Sequence, residues 1–573
     1  MLRLCSAAAA PHREKGTRHE ISSEEPLDGH PCGRGPVMSE VAVATAPAWG
    51  RAVEKTTVHG HPCLAYAERP AAVADFLLTA RRWAERELLV QGDRRLTFRE
   101  HEEAVARVAC ELAERGVGPG SRVGLLAFNS VEWMVSFWAV HALGAVAVLG
   151  NAWWADTEAQ EVLADAEPDL VITDRRLGFP TLEVATVRRA VEDVQRRVEL
   201  PQWPRDEEAL SIIMFSSGTT GKPKGVVMTA RSVIANIQNI LVLTGRLPQE
   251  IPAQKPGGVS MLTVPLFHLA GVQVCLTTLL SGGRLVFLDG KFDPAEVLRL
   301  IEAEKVRSWG CIPTMVSRVL EHPDFEAFDT SSVSSIPMGG APASADLRRQ
   351  ISERFPRVRS GGSSMYGLTE AGGVVAAGAG KDIAGRPGCV GRALPVVELR
   401  IANPQADGAG EIQVRTPTIT EGYLGDETPL TDAEGWVSSG DLGRIDAEGW
   451  LCITGRLKDI IIRGGENISS AHVEDVLHDH PDVAEVAVVA LPHADLGEEV
   501  GAAVVLRPGA ELAPASLLAA VQGRLARFEH PSRWWLYEGE LPTNASGKIV
   551  RREVQRQWLE AGGTTIWPAP ATG

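Results

Sequence analysis

Hydroxyl groups, glycines and lysines are concentrated in one short segment that follows an apolar run. The run Leu210–Met214 predicts a buried strand, and the segment after it reads Phe-Ser-Ser-Gly-Thr-Thr-Gly-Lys-Pro-Lys-Gly-Val. Glycine lets a backbone approach an anion closely, while hydroxyl and ammonium groups bind phosphate oxygens. The segment therefore predicts a polyphosphate-binding loop. Its candidate ligands are Ser216, Ser217, Gly218, Thr219, Thr220, Gly221, Lys222 and Lys224.

Composition alone leaves a second interpretation of this segment open. A polar surface loop would contain the same residue types. A Walker A loop has four residues between its first glycine and its Gly-Lys pair. Only two residues separate Gly218 from Gly221 and Lys222, so this type of loop is excluded. The motifs in the rest of the chain decide between the two remaining interpretations.

The order of these residues resembles the phosphate loop of the acyl-adenylate-forming superfamily, which includes acyl-CoA synthetases, peptide-synthetase adenylation domains and luciferases. Further segments resemble the family in the right order, over roughly residues 70 to 555. They are Pro265–Gly271 at the acyl pocket, Gly339–Pro342 beside the adenine, Met365–Glu370 at the adenine and magnesium, Gly435–Gly443 at the ribose, Gly455–Asp459 and Arg463–Ile468 at a hinge and the loop after it, and Pro542–Ile549 around a catalytic lysine.

This resemblance implies roles in the activation of a carboxylate by ATP. Lys548 would bridge the carboxylate and the α-phosphate, and Glu370 would bind Mg²⁺ together with Thr219. Asp441 and Arg456 would hold the ribose. The remaining nucleotide-binding candidates are Gly339, Gly340, Ala341, Tyr366, Gly367 and Thr369.

Each of these residues also has a plainer interpretation when it is taken alone. Glu370 could be a solvated surface acid, Asp441 a turn former, and Lys548 a solvated lysine. The resemblance favours the functional interpretation for these three. His268 stays divided between a satisfied pocket histidine and a residue that orients the carboxylate or closes the pocket.

The C-terminal motifs imply a second half-reaction. Lys458 lies where the family rotates its C-terminal domain between acyl-adenylate formation and thioester formation. After the rotation, the loop containing Gly464 and Gly465 would line a tunnel for the CoA thiol.

The resemblance narrows the activity to an acid:CoA ligase with ATP, Mg²⁺ and CoA. The segment Leu266–Leu269 lacks the Asp that amino-acid-activating relatives use, which disfavours an amino acid substrate. Apolar residues predict a pocket for a fatty, alicyclic or aromatic acid. They are Val272, Cys275, Trp309, Cys311 and Met338. A carrier-protein loader remains the alternative, and a catalytically inactive binding protein is disfavoured because the catalytic candidates are present.

Composition excludes several other classes of function. The net charge of −16 argues against nucleic acid or an anionic membrane as the main partner. The eight cysteines are scattered singly, which predicts small core residues or reduced surface thiols in a cytoplasmic protein rather than a disulfide or zinc framework. The apolar stretch Trp133–Gly150 approaches the length of a membrane span, but Gly144 divides it into a helix-like and a strand-like half.

Strands alternate with helical patterns through most of the chain, which predicts an α/β fold. We expect residues 1–37 to be a disordered extension. Residues 38–457 would form a large N-terminal domain of stacked α/β layers with a small β subdomain, which binds AMP and the acyl substrate. Residues 458–573 would form a smaller, mobile α+β domain that carries the catalytic lysine.

Overall fold

A computed structural model describes residues 46–216, 223–255, 257–338, 345–358, 363–379, 381–386, 388–543 and 548–567. The strands of the first part are β1 (Val53–Val58), β2 (His61–Tyr66), β3 (Glu87–Gln91), β4 (Arg94–Thr97), β5 (Arg122–Leu125), β6 (Val146–Leu149), β7 (Leu170–Ile172), β8 (Thr181–Leu182), β9 (Leu210–Ser216), β10 (Lys224–Thr229), β11 (Val259–Leu262), β12 (Arg284–Phe287), β13 (Ser308–Gly310) and β14 (Pro337–Met338). Those that follow are β15 (Ser363–Leu368), β16 (Gly373–Ala379), β17 (Cys389–Ala393), β18 (Glu398–Ala402), β19 (Gly410–Arg415), β20 (Gly422–Tyr423), β21 (Val437–Ile445), β22 (Leu451–Arg456), β23 (Ile460–Arg463), β24 (Glu466–Ser469), β25 (Val483–His493), β26 (Gly497–Leu506) and β27 (Arg533–Leu536).

The α-helices connect and cover these strands. They are α1 (Asp75–Ala80), α2 (Phe98–Ala113), α3 (Val131–Ala142), α4 (Asp156–Asp165), α5 (Val184–Glu192), α6 (Ala230–Leu243), α7 (Leu269–Leu280), α8 (Pro294–Glu304), α9 (Pro313–Leu320), α10 (Ala345–Arg354), α11 (Lys381–Ala384), α12 (Ser470–His478), α13 (Pro514–Val521) and α14 (Arg551–Glu560).

Two sheets with parallel cores dominate the N-terminal part. The first has the order β20-β10-β9-β6-β5-β7-β8, in which the five strands from β9 to β8 are parallel and β10 pairs antiparallel with both β9 and β20. The second has the order β13-β11-β12-β3-β4, with only the β3–β4 pair antiparallel. Strands β6 and β7 are buried along their whole length, as their continuous apolar sequences require in a covered parallel sheet.

The apolar stretch that approaches a membrane span forms a buried helix followed by a core strand. Every residue of α3 is buried, and β6 follows after a turn at Gly144. Gly144 has a φ of 65°, and a Cβ atom there would lie 2.8 Å from the Cδ of Pro204. A glycine is therefore required at this turn. In the described part of the chain, no helix is both long and apolar enough to cross a membrane.

An antiparallel pair, β1 and β2, and two larger, mainly antiparallel sheets contain the other strands. The first of the larger sheets has the order β14-β15-β16-β17-β22-β21-β19-β18 and contains the predicted small β subdomain. The second has the order β24-β23-β26-β25, with β27 pairing parallel to β26, and α12 and α14 contact β25. The predicted α/β class with a smaller α+β C-terminal part is confirmed. The predicted boundary at Lys458 stays a prediction, and the predicted extension 1–37 lies outside the described residues.

Three details differ from the expectations. The local sequence predicts Ser470 as the N-cap of α12, but the cap is Ser469, whose hydroxyl accepts from the His472 N–H, and Ser470 instead donates to the Asp459 carbonyl. The local sequence also predicts a closing helix over Lys548–Leu559, but α14 begins at Arg551. The expectation that all cysteines are reduced is wrong for Cys389 and Cys452, which face each other on β17 and β22 and form a disulfide. Strand pairing places these two residues together although 63 positions separate them.

Candidate active site

The carboxyl ends of parallel strands β5, β6 and β9 meet at one edge of the seven-stranded sheet. Ser216 is the last residue of β9, and Lys224 is the first residue of its antiparallel neighbour β10. The predicted phosphate loop therefore begins and ends at this edge, where ligands of open α/β sheets bind. The candidates Ser217, Gly218, Thr219, Thr220, Gly221 and Lys222 lie outside the described residues, as do Gly339, Gly340 and Ala341.

A buried carboxylate forms the centre of the predicted ribose site. Asp441 on β21 is directly opposite Arg456 on β22, and the Arg456 Nε lies 2.7 Å from the Asp441 Oδ1. The Tyr366 hydroxyl donates to the Asp441 Oδ2 at 2.8 Å. Asp441 is only 4% exposed, so these two partners compensate the cost of burying its charge.

Ser439 stands where the family commonly has threonine, and its hydroxyl is fully used. It accepts from the Asp441 N–H at 3.1 Å and donates to the Ile412 carbonyl at 2.7 Å. The hydroxyl thus fixes the backbone of Asp441, which a threonine hydroxyl would do equally well.

The turn after β15 places the next two candidates. A Cβ atom at Gly367 would lie 2.1 Å from the Gly373 carbonyl oxygen, so only glycine fits where β15 and β16 approach each other. Gly372 then donates its N–H to the Thr369 carbonyl at 2.9 Å and closes the turn. The turn presents Glu370 immediately after a strand that carries Tyr366.

The Glu370 carboxylate is held by a residue that sequence analysis did not single out. The Tyr423 hydroxyl donates to the Glu370 Oε1 at 2.8 Å, and the Thr420 hydroxyl donates to the Glu370 carbonyl at 2.9 Å. No other hydrogen bond reaches this carboxylate among the described residues. The carboxylate therefore retains a hard oxygen ligand, which suits Mg²⁺.

Magnesium commonly takes one or two protein carboxylates and obtains its other oxygens from water and substrate phosphates. The described residues contain no cluster of three or more His, Cys, Asp or Glu side chains arranged for a metal. A single carboxylate at Glu370 fits this mode of binding.

Lys548 lies within electrostatic reach of the ribose site. Burial, followed by the nearby positive charge of Arg456, lowers the pKa of Lys548 to about 8, and the negative charge of Asp441 opposes both effects. Arg551 also lowers this pKa and Asp459 raises it. The structure therefore brings the predicted catalytic lysine together with the residues predicted to hold the nucleoside.

His268 immediately precedes α7 and is shielded from water on one side of its ring. Its Nε2 is buried and has no hydrogen-bond partner among the described residues. Burial lowers the pKa of His268 to about 4, so the imidazole is neutral at pH 7. The Phe267 ring lies 4.8 Å away, centroid to centroid, and contacts the Trp153 ring at 5.3 Å. A neutral imidazole can exchange a hydrogen bond with a carboxylate but cannot pair with it as a cation.

The C-terminal candidates lie on two turns. Lys458 is the middle residue of a 3-10 turn, Leu457–Asp459, between β22 and β23. Gly464 and Gly465 connect β23 to β24 with φ values of 59° and 91°. Two successive positive φ angles define the tight hairpin turn that favours glycine. Turn geometry thus requires these glycines whether or not a thiol passes beside them.

A second residue that sequence analysis missed is Arg551. Its guanidinium lies 2.7 Å from the Asp459 carboxylate and 2.5 Å from the Glu474 carboxylate. Tyrosine is rare in this chain, which has only four, and this rarity could have identified Tyr423 as a candidate site residue. Arg551 follows Lys548 by three residues, but nothing in its local sequence indicates its partners.

The chain matches two family models. Residues 76–424 match the model described as AMP-binding enzyme, and residues 472–548 match the model described as AMP-binding enzyme C-terminal domain. Among curated proteins, it is 33% identical over 479 residues to a feruloyl-CoA synthase from Amycolatopsis, covering 82% of this chain and 95% of that protein. It is 31% identical to an indoleacetate–CoA ligase from Aromatoleum aromaticum, covering 81% and 93%.

Solved structures show the same fold. ATP-bound MatB from Rhodopseudomonas palustris superposes with a TM-score of 0.76 at 26% identity, covering 86% of this chain and 99% of that one. The o-succinylbenzoate CoA synthetase from Bacillus subtilis, in complex with ATP and magnesium ion, gives a TM-score of 0.72 at 27% identity, covering 83% and 98%.

Proposed function

The chain belongs to the AMP-binding enzyme family as an AMP-forming acid:CoA ligase that uses ATP, Mg²⁺ and CoA, and we propose that its acid substrate is apolar. The observation that carries the proposal is the group of buried apolar residues beyond His268. Val272 and Cys275 occupy one side of α7, where each is 2% exposed. Trp309, Cys311 and Met338 are also buried, and the last two are paired by a β-bridge.

The polar groups of Trp309 and Thr263 beside these residues are already satisfied. The Trp309 indole donates to the Thr263 hydroxyl at 3.1 Å, and that hydroxyl donates to the Gly310 carbonyl at 3.0 Å. A polar substituent on the acid would therefore find no free partner at Thr263, and its desolvation would be uncompensated. This environment favours a fatty, alicyclic or aromatic acid.

We assign the first half-reaction to the residues around Asp441. Asp441 and Arg456 hold the ribose, Tyr366 stacks on the adenine, and Lys548 neutralises charge that grows between the carboxylate and the α-phosphate. Bound Mg²⁺ would neutralise phosphate oxygens, held by Glu370 and Thr219. The acyl-adenylate forms as pyrophosphate leaves.

We assign the second half-reaction to a rotation about Lys458. The rotation withdraws Lys548 and brings the turn at Gly464 and Gly465 to the acyl-adenylate, where the CoA thiol attacks the carbonyl carbon and AMP leaves. Two exposed ion pairs, Arg318–Glu540 and Arg507–Glu321, join the two predicted domains in the present pose. Exposed pairs of this kind are weak enough to exchange during such a rotation.

A substrate panel tests this proposal. Purified enzyme is given ATP, Mg²⁺ and one acid at a time, and pyrophosphate release is measured with CoA and with a phosphopantetheinylated carrier protein. Apolar acids with CoA should give the highest kcat/KM. Preference for the carrier protein would favour the alternative function as a carrier-protein loader, and preference for a polar or charged acid would refute the proposed substrate class.

We also propose that the enzyme acts in the cytoplasm, which supplies both ATP and CoA. Fractionation of cells that express the tagged protein tests this location. Recovery of the ligase activity outside the cytoplasmic fraction would contradict it.

A further inference from the structure

Tyr423 is held rigidly beside the end of the phosphate loop. It lies on the two-residue strand β20, which pairs antiparallel with β10. The neighbouring N–H of Glu421 donates to the Val227 carbonyl at 2.8 Å, and that of Leu424 donates to the Gly225 carbonyl at 2.7 Å. These backbone bonds fix the position from which the Tyr423 side chain projects.

The Tyr423 side chain contacts two oppositely charged groups from different segments. Its hydroxyl donates to the Glu370 Oε1 at 2.8 Å, and the Lys224 Nζ lies 4.9 Å from the centre of its ring. The first contact is a charge-assisted hydrogen bond, and the second is a cation–π contact. Burial and the neighbouring Glu370 raise the pKa of the Tyr423 phenol, so it remains a donor at pH 7.

Among the described residues, the Glu370 carboxylate has this one hydrogen-bond donor. The Thr420 hydroxyl holds only the Glu370 backbone carbonyl, and within the described ranges Tyr423 provides the single hydrogen bond to the carboxylate. Without that bond, the carboxylate could rotate about its side-chain torsions. With it, Oε1 accepts a hydrogen bond and the orientation of the whole carboxylate is restricted.

We propose that Tyr423 is a positioning residue that orients Glu370 toward Mg²⁺ and Lys224 toward the nucleotide phosphates. The inference rests on the proposed role of Glu370 in the ligase reaction. Tyr423 itself touches neither metal nor nucleotide in this account. It couples the metal ligand to the phosphate loop through one aromatic ring.

Binding of Mn²⁺ as a probe for the Mg²⁺ site tests the hydroxyl. Free Mn²⁺ is titrated by electron paramagnetic resonance with enzyme and ATP in the absence of acid, so that no turnover is involved. Tyr423→Phe should weaken Mn²⁺ binding about tenfold, the effect of losing one hydrogen bond to a charged acceptor. Tyr537→Phe is the matched control, because its hydroxyl donates to the Gln557 Oε1 at the same 2.8 Å but lies in the C-terminal part.

The ring is tested separately from the hydroxyl. Tyr423→Leu removes both, so it should weaken Mn²⁺ binding as Tyr423→Phe does and also raise the KM for ATP several-fold, because the contact with Lys224 is lost. Tyr423→Phe keeps the ring and should leave the KM for ATP, measured at saturating Mg²⁺, within about twofold of wild type. Equal KM values for both variants would overturn the proposed link to Lys224.

A double-mutant cycle separates positioning from a general effect on folding. If Tyr423 acts through Glu370, then Tyr423→Phe should have no further effect on Mn²⁺ binding in a Glu370→Ala background. Additive losses, or equal losses in Tyr423→Phe and Tyr537→Phe, would overturn the inference. Acid-dependent pyrophosphate exchange by the wild-type enzyme tests the ligase function itself, so the two ideas fail independently.

Discussion

Arg551 and Asp459 form an ion pair of 2.7 Å that joins two parts of the predicted switch. Asp459 follows Lys458, the predicted hinge residue, and Arg551 follows the predicted catalytic Lys548 by three residues. The same guanidinium donates to both carboxylate oxygens of Glu474 on α12. One cation therefore fixes the lysine segment against both the hinge turn and the body of the C-terminal part. We expect Lys548 to be positioned only while this contact persists.

Replacing Arg551 should impair adenylation through Lys548. Arg551→Ala leaves two partly buried carboxylates without their partner, which predicts a loss of about 3 kcal/mol in the free energy of unfolding. Arg551→Lys keeps the positive charge but lacks the planar guanidinium that donates to several carboxylate oxygens at once. Compared with Arg551→Ala, it should therefore recover part of the stability but little of the pyrophosphate exchange. Urea unfolding and exchange rates measure the two effects.

Arg556→Ala is the control for this pair of variants. Arg556 lies on the same helix, but its partners Glu553 and Glu560 are local and its side chain is 54% exposed. Its loss should leave the free energy of unfolding nearly unchanged, because exposed ion pairs contribute little. An effect on exchange as large as that of Arg551→Ala would contradict the positioning role of Arg551.

Replacing Lys548 by Ala should separate the two half-reactions. Adenylation should fall by at least about 10²-fold, because the ammonium stabilises charge that develops only in that transition state. Thioester formation from pre-made acyl-AMP should be nearly unchanged. Lys305→Ala is the control, since Lys305 is exposed and pairs with Asp329. Near-wild-type pyrophosphate exchange in Lys548→Ala would disprove the assignment.

The pH dependence of adenylation should report the lowered pKa of Lys548. The ammonium is present below about pH 8 and is lost above it, so kcat/KM for ATP should fall as the pH rises through about 8. Because the Asp441 charge raises this pKa, Asp441→Asn should move the alkaline limb to lower pH. His268, whose pKa burial lowers to about 4, should give no limb near pH 6.5. A limb that stays near pH 8 in Lys548→Arg would assign it to another group.

Replacing Lys458 by Pro should produce the opposite separation. Proline fixes φ near −65°, which a 3-10 turn accepts, so the present pose with Lys548 at the nucleoside site is retained. Acyl-AMP should still form, while CoA thioester formation should fall because the backbone cannot rotate. Leu457→Ala, in the same turn, changes a side chain without fixing φ and should keep both rates. Equal loss of both half-reactions in Lys458→Pro, with native circular dichroism, would argue against a hinge here.

Local sequence was sufficient wherever a structural feature depends on consecutive residues. The apolar run Leu210–Met214 forms a strand, Gly144 ends the helix that precedes β6, and the glycine pair at 464 and 465 makes a hairpin turn. Each of these features follows from side-chain burial or backbone freedom within a few residues. The motif order likewise indicated the family and the reaction without any knowledge of distances.

Sequence reasoning failed where partners are far apart in the chain. Tyr423 and Glu370 are 53 residues apart, Arg551 and Asp459 are 92 apart, and Cys389 and Cys452 are 63 apart. Strand register and domain packing decide these contacts, and a single sequence contains no periodicity that reports them.

The sequence by itself therefore determined which chemical groups this protein carries and the order in which they occur. Only the tertiary structure decided which of those groups lie close enough to interact electrostatically. Asp441 and Arg456 meet because β21 and β22 pair in one register, and Lys548 has a lowered pKa because the folded chain buries it beside Arg456. Hydrogen bonds and charges act over a few ångströms, so their effect depends on distances in space that the order of residues does not specify.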